Sequence, residues 1–189
     1  MVDIILFHHA QGLTEGVRAL ADRLRAGGHR VEVPDLYEGK TFPTVDSGVE
    51  HMQKVVGEDV LGERARQAAA EMPEACVYAG ISMGAMHAHA LAAGRPGALG
   101  AVLYEGHVPP RWMEGPWPAG VGLQVHLHDQ DAWADPELAS ETADGFDGAE
   151  VYLYPGDTHL FTDASLEQYD SDQTDLVVER TLALLSRWG

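Results

Sequence analysis

A serine between two glycines, Gly80-Ile81-Ser82-Met83-Gly84, separates the apolar run Ala75 to Ala79 from the alanine-rich stretch Ala85 to Ala93. The first stretch suits an extended strand and the second has high helix propensity, so the spacing predicts strand, sharp turn, helix. A serine on such a turn sits in a strained backbone conformation, and the flanking glycines remove side chains that would collide with adjacent segments. The turn lifts the hydroxyl beyond the sheet edge, while the N-terminus of the next helix offers free N–H donors and partial positive charge. The chemistry this permits is nucleophilic attack on a carbonyl, with Ser82 as nucleophile and the Met83 N–H as a donor to the oxyanion that develops.

A serine hydroxyl is a poor nucleophile at neutral pH, so an imidazole must take its proton and a carboxylate must orient that imidazole. In chains that carry this turn the order is serine, acid, histidine. Beyond the elbow and its helix stand His107, His126, His128 and His159. His159 lies in Tyr154-Pro155-Gly156-Asp157-Thr158-His159-Leu160-Phe161, a loop between the last strand pattern and the last helix pattern, where the base belongs. His126 and His128 alternate within or just beyond a strand, and His107 follows an earlier one. For the acid, the strand Leu123 to Leu127 is followed by His128-Asp129-Gln130-Asp131, and open α/β sheets gather functional groups at such C-terminal ends. Asp131 is assigned the role because its setting resembles the G-x-x-D turn that carries the acid in many hydrolases; Asp129 and Asp135 compete with it.

The elements that must position these groups read as βαβ units on a parallel sheet, because short Val/Ile/Leu/Tyr runs alternate with segments of helical periodicity. Strands are expected at about residues 2 to 7, 30 to 34, 75 to 79, 99 to 104, 122 to 127 and 150 to 154. A first helix starts near Thr14 as cap, places Val17, Leu20, Ala21 and Leu24 on one face, and ends at Gly27-Gly28. A second runs from about Gly48 to Met72, with Gly57 and Gly62 as breaks and Pro73 past its end, and a last one from about Asp172 to Trp188. The segment from His107 to Gly122, with four prolines and two tryptophans, is read as a surface excursion.

The 189 residues suit one domain with one substantial core. With 12 Lys plus Arg against 30 Asp plus Glu the net charge is −18, which repels phosphate backbones and anionic lipid, so neither nucleic acid nor membrane is an expected partner. The opening Met1 to Phe7 lacks the pattern of a secretory signal and no apolar run nears the roughly 20 residues that span a bilayer, so the cytoplasm is the expected location. The single cysteine, Cys76, agrees with a reducing compartment and reads as a packing residue in a strand. His87-Ala88-His89 and His126-Leu127-His128 are short-spaced pairs, but neither makes a metal site unaided, and no metal or cofactor is expected. Exposed aromatic loops leave a homodimer open, although no heptad or flat strand edge demands one.

Four segments in order resemble the dienelactone hydrolase family of the α/β-hydrolases, over most of the chain. They are Leu6-Phe7-His8-His9-Ala10-Gln11-Gly12 with its following helix, Val33-Pro34-Asp35-Leu36-Tyr37, the elbow, and Tyr154 to Phe161. The resemblance implies the α/β-hydrolase fold, a mainly parallel sheet with helices on both faces, as one compact domain over residues 1–189. It also implies Ser82, Asp131 and His159 as nucleophile, acid and base, with the backbone N–H groups of Ala10 and Met83 as the oxyanion hole. Dienelactone hydrolases proper resemble this pattern with a cysteine in the elbow and a glutamate after the first strand, where this chain has Ser82 and His9. A thiol-to-carboxylate activation therefore cannot operate in that form. Hydrolysis of a small ester or lactone remains the expected reaction, with dienelactone itself unassigned.

His8 and His9 are candidates to donate hydrogen bonds to substrate, and Tyr37, Phe42, Trp112, Trp133 and Phe161 are candidates for the substrate wall. Arg111 or Lys40 would have to offset the acidic surface for an anionic substrate to bind. The same three groups also fit acyl transfer or thioester cleavage, and a catalytically idle binding protein is the reading from outside enzymes.

Overall fold

The computed structural model describes residues 1–113 and 115–189. Six strands, β1 (Asp3–Phe7), β2 (Arg30–Glu32), β3 (Cys76–Ile81), β4 (Gly100–Tyr104), β5 (Gly122–His128) and β6 (Glu150–Tyr154), form one sheet in the order β2-β1-β3-β4-β5-β6. Every neighbouring pair is parallel. The order reverses between β1 and β3, and at such a switch point the two following loops part and leave a crevice at the C-terminal edge.

Helices α1 (Glu15–Ala26), α2 (Val45–His51), α3 (Glu58–Ala70), α4 (Met83–Gly94), α5 (Ala139–Gly145) and α6 (Ser171–Leu185) complete the chain. Strand side chains alternate between two cores, as a sheet buried on both faces requires. Ile5, Phe7, Cys76 and Tyr78 join the alanines of α4 and Leu61, Ala65 and Ala69 of α3. Ile4, Leu6, Val77 and Ala79 face Val17, Leu20 and Leu24 of α1 and Val177, Leu184 and Leu185 of α6. The Thr14 hydroxyl accepts from the Val17 N–H and caps α1. Small alanines on α4 let it lie close over β3 and β4, the strands beside the elbow.

One expectation is corrected, and one element was not foreseen. The helix expected from Gly48 to Met72 is three pieces: α2, a π turn at Met52–Val56, and α3. Gly57 takes φ +92°, a conformation in which a Cβ is strained, and its N–H closes the π turn on the Met52 carbonyl at 2.7 Å. Gly62 lies inside α3 and breaks nothing. The other difference is α5, whose sequence shows no helical stripe because only Ala139 and Thr142 of its seven residues are buried. Among the described residues no helix is long and apolar enough to cross a membrane.

Candidate active site

Ser82 leaves β3 with φ 52° and ψ −114°, a left-handed conformation that a non-glycine residue holds only when its surroundings impose it. The surroundings are backbone. The Ser82 N–H donates to the Tyr104 carbonyl of β4 at 2.8 Å, and a Cβ at Gly80 would stand 2.1 Å from the Gly84 carbonyl oxygen. At Gly84 it would stand 2.3 Å from the carbonyl oxygen of Phe7. The elbow is thus wedged between its own helix and the end of β1, and only glycine fits either side of the serine.

The loop after β6 is held from two sides. The His128 Nδ1–H donates to the Thr158 carbonyl at 2.7 Å, and the Thr162 N–H donates to Glu105 Oε1 at 2.8 Å. Between these anchors the His159 ring lies with Nε2 2.8 Å from Ser82 Oγ and Nδ1 2.6 Å from Asp131 Oδ2. Asp131 is wholly buried, and its other oxygen accepts from the Trp133 N–H at 2.9 Å. The bonds define the tautomer: Nδ1–H donates to the carboxylate and Nε2 is free to take the serine proton. The competing aspartates are occupied elsewhere. Asp129 accepts from the Gly156 N–H at 3.1 Å and faces solvent, while Asp135, at φ 46°, gives its backbone carbonyl to His107 Nε2 at 3.1 Å.

Ala10 lies on the loop after β1 and Met83 is the first residue of α4, so they follow the two strands on either side of the switch point. Among the described residues neither N–H is taken by a backbone carbonyl outside the regular elements. The remaining expectations divide. Trp133 is 52% exposed, stacks on the His159 ring at 6.1 Å, and stands between two openings. One, of about 200 Å³, is lined by Ser82, Met83, Glu105, His107 and Trp112; the other, of about 460 Å³, by Gln11, Val45, Thr158 and His159. Phe42 is half-buried against Tyr37 and His51.

His8, His9, Tyr37 and Phe161 are buried behind the site rather than in its wall, which corrects the expectation that they touch substrate. Leu36 N–H donates to His8 Nε2 at 3.0 Å, so the His8 proton is on Nδ1, which donates to the His9 carbonyl at 2.8 Å. Burial holds its imidazole down at about 4, so it stays neutral. His9 accepts from the Gln11 N–H at Nδ1 (3.2 Å) and donates from Nε2 to Asp163 at 2.7 Å. Tyr37 directs its hydroxyl at Met83 Sδ, 3.3 Å away, and Phe161 stacks on His128 at 4.0 Å.

Two carboxylates went unread in the sequence. Glu105 directly follows β4, the strand beside the elbow strand, a position that marks a functional group in an open sheet. Asp163 had no local signal, because its partner His9 is 154 residues away. Among the described residues no three His, Cys, Asp or Glu side chains are gathered as a metal site.

A parallel sheet sheathed by helices, with a serine on a strained strand-to-helix turn and a histidine loop bonded to it, defines an α/β-hydrolase. The model of the dienelactone hydrolase family matches residues 2–188, and the chain belongs to that family. No curated protein matches the sequence. Among solved structures it is similar to a Klebsiella pneumoniae protein assigned as a dienelactone hydrolase, at 17% identity and TM-score 0.77, covering 98% of this chain and 87% of that one. A dienelactone hydrolase-like promiscuous phosphotriesterase from metagenomic libraries is 19% identical with TM-score 0.74, covering 99% and 86%. A cold-adapted esterase from an Arctic intertidal metagenomic library is 16% identical with TM-score 0.63, covering 95% and 82%.

Proposed function

We propose that this protein is a serine esterase or lactonase acting on compact substrates in the cytoplasm. Ser82 Oγ attacks the ester or lactone carbonyl while His159 Nε2 takes the hydroxyl proton. Asp131 holds the ring in the required tautomer and faces the imidazolium that forms. The tetrahedral oxyanion is received by the N–H groups of Ala10 and Met83, each such donor typically contributing about 10²–10³ in rate. As the carbon–oxygen bond breaks, His159 returns its proton to the leaving alkoxide. Water then attacks the acyl-enzyme, with His159 again as base, and releases the carboxylic acid and free Ser82.

The observation that carries this reading is the unbroken chain from Asp131 through His159 to Ser82, at 2.6 and 2.8 Å. The small opening beside Ser82 supports a compact substrate, and the net charge of −18 disfavours an anionic one. The esterase and phosphotriesterase among the similar folds are consistent with attack on an activated ester.

Replacing Ser82 with Ala is expected to abolish hydrolysis of p-nitrophenyl acetate and labelling by a fluorophosphonate. Undiminished turnover would sink the assignment. Products formed with added alcohol or thiol acceptors separate hydrolysis from acyl transfer.

A further inference from the structure

Glu105 is a buried carboxylate in the wall beside Ser82 that this mechanism does not use. It is 1% exposed, and its backbone is at φ 54°, a conformation a glutamate keeps only where neighbours enforce it. Its N–H is fastened to the His126 carbonyl of β5 at 2.8 Å. Oε1 accepts from the Thr162 N–H, three residues after His159, at 2.8 Å. Oε2 is buried with no hydrogen-bond partner among the described residues. A buried carboxylate oxygen left unpaired is costly, and such costs persist where the charge has a use.

We propose that Glu105 is a positioning residue for the reaction: it ties down the His159 loop through Thr162 and supplies negative charge to the imidazolium formed when Ser82 gives up its proton. His159 is thereby served by two carboxylates, Asp131 in direct contact from the loop after β5 and Glu105 from the residue after β4. The inference rests on the reading of Ser82, Asp131 and His159 as nucleophile, acid and base.

The electrostatics agree with the geometry. Burial pushes the Glu105 carboxyl up to about 7, with His159 and the hydrogen bonding of Thr162 pulling it down and Asp131 pushing it up. His159 and Asp131 are the titratable groups of the serine–histidine–aspartate chain that act on it. Tyr104 beside it on β4 is kept protonated by burial, and His107 and Asp135 line the same opening. Glu105 thus gains its charge in the neutral range, and its help to His159 is present above that range and absent below it. A neighbouring charge of this kind typically moves a histidine by about one pKa unit or more, equivalent to about tenfold.

The test compares wild type with Glu105→Gln, which retains an oxygen acceptor for the Thr162 N–H and removes the charge, in p-nitrophenyl acetate hydrolysis. The loss in kcat/KM is expected to grow about tenfold between about pH 5.5 and about pH 8.5, and Glu105→Asp is expected to restore part of the pH-dependent gain. In a double-mutant cycle, Glu105→Gln should cost more in the Asp131→Asn background, where no other carboxylate faces the ring. A loss that is the same at both pH values, together with an additive cycle, would overturn the proposal and leave Glu105 as a loop anchor only. If Glu105→Gln does not fold, the Asp variant carries the pH comparison alone, and a profile parallel to that of Glu105→Gly is the overturning result. Fluorophosphonate labelling of Ser82 separates the two failures: labelling with a flat pH ratio removes only Glu105, whereas no labelling removes the underlying mechanism.

Discussion

Replacing Asp163 with Asn exchanges one carboxylate oxygen for an NH₂ group and removes a buried negative charge beside His9. Asp163 Oδ2 accepts from His9 Nε2 at 2.7 Å and from the Thr14 hydroxyl at 2.5 Å, and Oδ1 accepts from Ser165 N and Oγ at 2.8 and 2.6 Å. The His9 and Asp163 side chains are wholly buried. Burial alone would push the carboxyl up, but the bonds from His9, Ser165 and Thr14 overcome it and hold the group at about 2, against 3.8 in the open chain. A depressed carboxyl stabilises the fold above its unfolded value and loses that contribution as pH falls through its folded one, here roughly 2 kcal/mol lost between about pH 4 and pH 2. In the Asn variant an amide N–H₂ faces the His9 N–H and the Thr14 hydroxyl, which leaves buried donors unpaired. Removing one partner of a buried pair typically costs about 3–5 kcal/mol, and a chain of this size loses about 2–4 °C per kcal/mol, so the midpoint at pH 7 should drop by roughly 6–20 °C. Because His9 directly precedes Ala10, the oxyanion loop loosens as well, and kcat should fall by about tenfold or more with little change in KM. Circular-dichroism melts from pH 2 to 7 and p-nitrophenyl acetate kinetics check both arms. A variant within about 2 °C and about twofold of wild type at pH 7 would refute the claim that this pair ties the oxyanion loop to the histidine loop.

A methyl group at Gly84 would meet the Phe7 carbonyl at 2.3 Å and the His8 carbonyl oxygen at 2.8 Å, both backbone, so Gly84→Ala should cost several kcal/mol and yield little folded protein by gel filtration. Trp133→Ala should leave the melting temperature nearly unchanged, because the ring is 52% exposed, but raise KM for aryl esters about three- to tenfold in steady-state assays. Glu105→Gln should stabilise the fold at high pH. The wild-type carboxyl rises from 4.5 to about 7 on folding, so the folded chain keeps a proton the unfolded chain has released and stability falls as pH rises between those values. The variant escapes a penalty of roughly 3 kcal/mol, and its melting point should exceed that of wild type at about pH 8 with the gap closing toward about pH 4.

Residue type and spacing set the local geometry and the order of the candidate groups along the chain. Strand runs, the Thr14 cap, the glycine-flanked Ser82 and the serine, acid, histidine order are written in short-range pattern, because propensity, capping and turn sterics act over a few residues. The helix between Gly48 and Met72 was legible in part: its glycines were visible, but only packing decided that Gly57 turns the chain and Gly62 does not. Which aspartate bonds to His159 was a matter of tertiary structure, since Asp129, Asp131 and Asp135 leave one loop and only the path of another, 28 residues on, selects among them. The same holds for His8 and His9, whose types suggest substrate contact but whose rings are consumed by Leu36 and Asp163. Glu105 and Asp163 became candidates for a part in the site only when distant segments closed around them, because burial and partner geometry are properties of the folded chain and have no counterpart in local sequence.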